Sequence, residues 1–460
     1  MIIPPGTEVN AGRGGPIDTD AGISQYTLLF SPFNEQGMTK NEPPAAEPVI
    51  LESPGHPITR AQIDPDALKI MDRLDRQGFL ACLVGGAVRD LMLGKAPKDF
   101  DIATDARPGQ IKKRFPNAYV IGRRFRLVHV HCPGGKIIEV ATFRKNPANI
   151  PAPPEGGADD APVDIFGTPR EDAFRRDLTI NALLYDGILN AVIDYVGGLE
   201  DLACRRIRVI GDPVERFVED PVRIWRVLRH AARLGFEIES GAAAAIRSHG
   251  HLLGTAAGAR LYEEFNKDLA YETQPVIEAL RNHKLLQYIL GRAGEAYEVD
   301  GGLFRRLCGL LTIEDRIRSA GIVLSLEEMY ALVLWPWLED LLRTDEPIEL
   351  HKALHDEFQS LQTGATIPKT VRANVIQIVY LAGMMLRAYR TGHMRWSLRQ
   401  RAHWPQAERL LFLVEEGRVP ETGETFETAL ERRFPGGAQA QKKRWRPARR
   451  RRTKRPAGGP

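Results

Sequence analysis

The stretch LVGGAVRDLMLGKAPKDFDIAT, Leu83 to Thr104, decides the fold. Its first half, with Ala81 and Cys82 before it, reads as a short buried strand that stops at the pair Gly85-Gly86. AVRDLMLG then reads as a helix opened by that turn, and DFDIAT as a second strand. Upstream, DALKIMDRLDRQGF places Leu68, Ile70, Met71, Leu74 and Phe79 at roughly helical spacing, with Gly78 as the stop. Downstream, AYVIG, RLVHVHC and KIIEVATF alternate or run apolar as further strands. A small mixed sheet with helices, ending near residue 205, accounts for this part. From about Asp220 onward the pattern is helical, most clearly in VRIWRVLRHAARLGF: Ile224, Val227, Leu228, Ala231 and Leu234 form one stripe, with Arg223, Arg226, Arg229 and Arg233 around it.

The chemistry begins on the same stretch. In a strand, side chains alternate between faces, so Asp99 and Asp101 are expected on one side, close enough to share divalent ions. Clustered carboxylates of this kind serve two-metal phosphoryl or nucleotidyl transfer. The glycine pair suits close backbone approach to a triphosphate at a helix start. A D-x-D alone is weak, being also a common loop or capping element; the Gly-Gly turn before it strengthens the reading. Glu139 lies among Ile137, Ile138, Val140 and Ala141, where it is either a third carboxylate of the site or the solvent side of a two-faced strand. Arg175-Arg176-Asp177 suits a salt-bridged helix start or, through planar guanidinium forks, a grip on triphosphate oxygens. In Glu219-Asp220-Pro221-Val222-Arg223, the acids and proline make a helix N-terminus. Arg223 and Arg226, three apart, are left over, and could read a base edge with Asp220 as acceptor.

With 460 residues, the chain is long enough for two to four domains and a sizeable core. The four cysteines, Cys82, Cys132, Cys204 and Cys308, form no close pair and no zinc spacing, which suits a reducing, cytoplasmic setting. The apolar runs near 321–338 and 375–386 are too short or too interrupted for a membrane span, and the start of the chain lacks the pattern of a secretion signal. The net charge of +4 conceals an asymmetry, since Lys442 to Arg455 holds ten basic residues and no acid. The remainder, 53 basic against 59 acidic residues, carries −6. A dense basic run on a mildly acidic body is an electrostatic arm for a polyanion, or else a solubilising tail or membrane-surface patch. Residues 1–62 read as a poorly ordered extension and 146–164 as a Pro/Gly-rich surface loop.

LVGGAVRDLMLGKAPKDFDIAT, RRDLTINALLYD, YVGGLEDL and EDPVRIWRVLRHAARLGF, in this order, resemble the class II tRNA nucleotidyltransferase and bacterial poly(A) polymerase family of the polymerase beta superfamily. The resemblance covers about residues 63–275. VIGRRFRLVHV (120–130), IFGTPREDAFRRD (165–177) and the arginine-rich tail are similar to the polyadenylating branch. The resemblance implies an α+β fold: a small nucleotidyltransferase head of mixed β-sheet and helices at 63–205, then an all-helical neck (206–275), body (276–430) and basic tail (431–460). It assigns Asp99 and Asp101 to two Mg²⁺ ions, Glu139 to a supporting acid, and Asp177 to the acid of the RRD motif. Gly85, Gly86, Arg89 and Arg176 would contact the incoming nucleotide, and Asp220, Arg223 and Arg226 would read its base. The implied activity is addition of AMP from ATP to RNA 3′ ends without a template. RNA and ATP are the implied partners, with RNA-decay proteins beyond what these residues specify. The alternatives are a CCA-adding enzyme with the same head and a non-catalytic RNA-binding protein that keeps the fold.

Overall fold

In the computed structural model, residues 47–122, 126–145, 166–343, 349–391, 396–421 and 423–433 are described. The GRRFR segment lies partly outside them (123–125), as do the 146–164 loop and the basic run 442–455. The chain divides into two units, one reaching Asp212 and including Glu237–Glu239, the other made of Pro213–Phe236 and everything from Ser240.

The first unit is built on eight strands: β1 Val49–Glu52, β2 Ala81–Val84, β3 Asp101–Thr104, β4 Ala118–Ile121, β5 Leu127–His131, β6 Ile137–Thr142, β7 Leu184–Asp186 and β8 Ala191–Asp194. Their order across the sheet is β1-β8-β7-β2-β3-β6-β5-β4. β3 and β6 run parallel and the other neighbours antiparallel, so the sheet is mixed as expected. A ninth strand, β9 Arg206–Ile207, pairs in parallel with β10 Glu237–Ile238. The helices are α1 Pro65–Asp75, α2 Gly86–Met92, α3 Pro108–Arg114, α4 Pro169–Phe174 and α5 Gly198–Ala203. α1 starts at Asp64, whose carboxylate accepts from the amides of Asp66 (2.8 Å) and Ala67 (3.3 Å), with Pro65 at the first position. It buries Ile70, Met71 and Leu74 of the periodic residues, with Ala67 in place of Leu68, which is half-buried. β2 is buried along its whole length, which is why ACLV carries no polar alternation.

Three expectations are corrected here. β1 pairs with β8 from Val49↔Asp194 to Glu52↔Ala191, so the sheet starts inside the stretch assigned to an N-terminal extension. The first unit runs to Asp212, past the boundary at 205. The helix near Arg175-Arg176-Asp177 precedes these residues, because Thr168, Pro169 and Glu171 form a capping box that starts α4 early and ends it at Phe174. A 3₁₀ turn over Thr179–Asn181 and then β7 come after it.

The second unit is helical among its described residues. It comprises α6 Pro213–Glu219, α7 Val222–Leu234, α8 Ser240–His249, α9 Gly258–Leu269, α10 Thr273–Asn282, α11 Gln287–Leu290, α12 Arg292–Val299, α13 Gly301–Ser319, α14 Leu326–Arg343, α15 Leu350–Ser360, α16 Lys369–Thr391, α17 Trp396–Arg399, α18 Trp404–Glu416 and α19 Phe426–Arg433. α7 ends at Gly235 in the left-handed region (φ +63°), in line with the Leu-Gly-Phe sequence. Its Trp225 packs on Phe265 of α9 and that ring on Tyr330 of α14, with centroids 6.1 and 5.5 Å apart. Pro336 interrupts the hydrogen bonding of α14, and the Tyr297 hydroxyl donates to the nearby Val333 carbonyl at 2.5 Å. No described helix is long and apolar enough to cross a membrane.

Candidate active site

The glycine turn positions the first elements. Gly85 adopts φ +74° and ψ −139°, a conformation L side chains rarely reach, and so reverses β2 into α2. A Cβ on Gly85 would stand 3.4 Å from Arg176 Nη1, and one on Gly86 would stand 3.4 Å from Arg89 Nη2. The turn is therefore lined by two guanidinium groups. Arg89 Nη1 donates to Asn181 Oδ1 at 2.7 Å, while its Nε and Nη2 lie 2.9 and 2.8 Å from Asp90. Arg176 donates through Nη1 to the Asn181 carbonyl at 3.2 Å, and through Nε and Nη2 to Asp172 Oδ2 at 3.1 and 3.0 Å. Asn181 thus ties both arginines to the 3₁₀ turn.

Asp172 is the anchor of this arrangement. It is 3% exposed, and its other oxygen accepts from Arg175 Nε at 2.8 Å and the Arg144 amide at 3.2 Å. Burial works against its ionisation, but Arg176 and Arg175 outweigh that and hold its carboxyl below the usual range. One oxygen of a buried carboxylate, accepting from two donors of the fork, fixes the guanidinium plane of Arg176 in a way no solvent-exposed pair would. Asp172 and Asn181 are the partners of these arginines that the sequence reading misses. The signal for Asp172 is its position three and four residues before Arg175 and Arg176, one helical turn away. Asn181 carries no local signal.

The carboxylates approach from the sheet. β3 pairs with β2 from Ala81↔Thr104 to Val84↔Asp101, and Gly85 then turns away, so Phe100 and Asp99 find no ladder partner. Asp99 consequently sits in the loop before β3, and the strand alternation expected of both aspartates holds for Asp101 alone. On the other side, the parallel register Ile102↔Val140 sets Asp101 and Glu139 at neighbouring positions one step along their strands. Ile102 and Val140 are buried whereas Asp101 and Glu139 are exposed. β6 is the two-faced strand of the sequence reading, with Glu139 on its open face and His129 Nε2 at 3.4 Å across the β5 ladder. Partial burial, then the Glu139 and Asp99 carboxylates, push the Asp101 carboxyl up to about 6, with Arg176 pulling the other way.

Asp99, Asp101, Glu139 and Arg176 therefore share one electrostatic neighbourhood, and Gly85, Gly86 and Arg89 join it through the turn. Asp177 is used locally: it is buried, and its Oδ1 accepts from the Leu178 amide at 2.9 Å. Asp220, Arg223 and Arg226 belong to the second unit. There Arg260 grips Asp220 with two donors at 2.8 and 2.9 Å, and Arg223 Nη1 donates to Glu219 Oε2 at 2.5 Å. Arg260, 40 positions from Asp220, is a further residue that spacing does not pair, whereas Glu219 and Arg223 stand at the i,i+4 spacing of a local ion pair.

The donor set suits Mg²⁺. It is all carboxylate oxygen, and the mutual repulsion felt by Asp101 is what a divalent cation relieves. Among the described residues no three His, Cys, Asp or Glu side chains converge as a closed ligand cluster. An open site of one or two carboxylates is the usual one for Mg²⁺, which keeps waters and takes other ligands from substrate phosphates.

A mixed sheet with an acidic cluster beside a glycine turn and two clamped arginines defines a nucleotidyltransferase head. Residues 81–208 match the family described as poly A polymerase head domain, and 235–293 match the one described as probable RNA and SrmB-binding site of polymerase A. Poly(A) polymerase I of Salmonella typhimurium is 36% identical over 389 residues, 79% of this chain and 81% of that protein. Poly(A) polymerase I of Escherichia coli is 45% identical over 244 residues, 50% of this chain and 51% of that protein, so the chain spans about half the length of that relative. The CCA-adding enzyme of Bacillus pumilus is 36% identical over 228 residues, 49% of this chain and 55% of the relative. Among solved structures, the CCA-adding enzyme of Bacillus stearothermophilus in complex with CTP has a TM-score of 0.57 at 26% identity, covering 82% of this chain and 83% of that one. The chain belongs to the bacterial poly(A) polymerase and CCA-adding enzyme family of nucleotidyltransferases.

Proposed function

We propose that the protein is a poly(A) polymerase that adds AMP from ATP to RNA 3′ ends without a template. The observation that carries this reading is the grouping of Asp99, Asp101 and Glu139 beside Arg176 and the Gly85-Gly86 turn. Asp99 and Asp101 would hold Mg²⁺, with Glu139 supporting. Two such ions, when bound, acidify the attacking 3′-hydroxyl and neutralise the departing pyrophosphate. The protein's own part is positional. The Gly85-Gly86 backbone lets the triphosphate approach closely, and Arg89 and Arg176, fixed by Asp90, Asn181 and Asp172, hold its oxygens in register. Asp177 fixes the turn that follows Arg176. In the second unit, Asp220, Arg223 and Arg226 read the adenine edge; Arg260 and Glu219, which hold two of them here, would be exchanged for base contacts. The basic run 442–455 holds RNA by counterion release. Unpaired cysteines fit a cytoplasmic setting.

Poly(A) addition is favoured over CCA addition by the GRRFR segment, the basic run, and relatives named poly(A) polymerase I at 36–45% identity. The fold likeness to a CCA-adding enzyme favours the second reading. The discriminating experiment supplies Mg²⁺ with ATP or CTP to the protein, with a generic oligoribonucleotide and a tRNA lacking its CCA end as primers. Long extension of the generic RNA with ATP alone is expected. Addition confined to the tRNA, stopping after two C and one A, would replace this reading with CCA addition.

A further inference from the structure

Away from the nucleotidyltransferase head, α15 and α16 enclose an open cavity of about 470 Å³ lined by Glu349, His351, Lys352, Tyr380, Met384 and Arg387, among others. Arg387 is its unusual member. Its Nε and Nη2 are buried, and among the described residues neither has a hydrogen-bond acceptor. A guanidinium desolvated on two donors without a partner costs stability, and its planar fork is shaped for a tetrahedral or planar oxyanion. Other described arginines also have a buried Nε without an acceptor, but Arg387 is unpartnered on a terminal nitrogen as well, where Arg229 by contrast meets Glu264 and Asp268. Here the one acid of the lining, Glu349, makes no ion pair with Arg387 among the described residues.

Lys352, exposed, adds a second cation, and His351 Nε2 lies 2.9 Å from Gln377 Nε2 while its ring meets Tyr380 edge-on at 5.3 Å. Two cations, an imidazole and an aromatic ring beside a cavity large enough for a mononucleotide match a phosphate with an attached nucleoside better than a carboxylate.

We propose that this cavity is a second phosphate-binding site, in the helical unit, in which Arg387 and Lys352 take the phosphate oxygens and Tyr380 offers its ring to the attached base. The phosphate comes either from a free nucleotide or from the backbone of single-stranded RNA. The proposal does not rest on the polymerase reading.

The test reads the site directly and without turnover. The whole protein, in metal-free buffer of constant ionic strength, is acetylated with an N-hydroxysuccinimide ester, and modification of Lys352 is followed by peptide mass spectrometry. Inorganic phosphate, AMP and a short oligo(A) are added in separate arms, and each is repeated on Arg387→Met, which keeps the aliphatic bulk. Slowed acetylation of Lys352 with phosphate or AMP, about tenfold less ligand affinity in R387M, and a melting temperature equal to or above that of the native protein are expected. Protection by oligo(A) alone, lost in R387M, supports the site with RNA as its source. Absence of protection in all arms, or protection that survives R387M, overturns it. A lower melting temperature of R387M with unchanged protection also overturns it, by making Arg387 structural.

Discussion

Asp101 and Asp172 show opposite uses of a carboxylate. Asp101 is pushed up to about 6 by partial burial first and by the neighbouring Glu139 and Asp99 carboxylates second, while Asp172 is satisfied on both oxygens and held low. The first arrangement stores repulsion that a cation relieves; the second locks two arginines in place. Asp99→Ala and Asp101→Ala are each expected to lower turnover by at least about a thousandfold, because metal-assisted charge stabilisation is worth several kcal/mol. The melting temperature and RNA affinity of both should stay near native; retained turnover would remove the metal assignment. Asp172→Ala removes the carboxylate that Arg175 and Arg176 share, leaving Arg176 only the Asn181 carbonyl, and a loss of about 2–4 kcal/mol in denaturant unfolding is expected, with weaker ATP binding. Native affinity for ATP in that variant would show that Arg176 needs no clamp.

At the scale of elements, α7 and α9 are joined by a buried polar seam. Arg229 pairs with Glu264 and Asp268, and Trp225 Nε1 donates to Asp268 at 2.6 Å. Burial disfavours the ionised Glu264, but Arg229 and Lys267 outweigh it and hold its carboxyl at about 2, against 4.5 for the ordinary group. A depressed carboxyl contributes stability above its unfolded value and loses it as pH falls through the folded one. Stability is therefore expected to drop between about pH 4.5 and pH 2, by on the order of 3 kcal/mol from this group. Glu264→Gln should lower stability at pH 7 and flatten that acid limb in urea titrations; an unchanged limb would place the pH dependence elsewhere. Much of the element structure is legible in the sequence. α1, α2, β2 and α7 follow from apolar period and glycine stops, whereas the pair Arg175-Arg176 suggests a helix start that the Thr168 capping box moves upstream into α4.

For the whole molecule, charge is divided between a mildly acidic body and the run Lys442 to Arg455. Deleting 442–460 is expected to weaken RNA binding at moderate salt and to flatten the log–log salt slope by about 0.7 for each lysine or arginine that contacts a phosphate. Fluorescence anisotropy over a salt series measures this, and an identical slope would mean that the run is not the electrostatic arm. Extension of short primers in saturating RNA should change less, since the head retains its acids and arginines.

The ordered motifs from Leu83 to Phe236 determined by themselves the class of fold and the family, and they supply the acids and arginines proposed for the site. These are local properties: a strand, a glycine turn and a helix are written in neighbouring residues. The links between those residues are not local. Asp101 meets Glu139 only through the parallel pairing of β3 and β6, and Arg89 meets Arg176 only through Asn181, 92 positions from the first. Asp99 leaves the strand because β2 ends at Gly85 and offers no further partner. Ladder register and side-chain clamps depend on which distant segments pair, and spacing along one segment does not encode that.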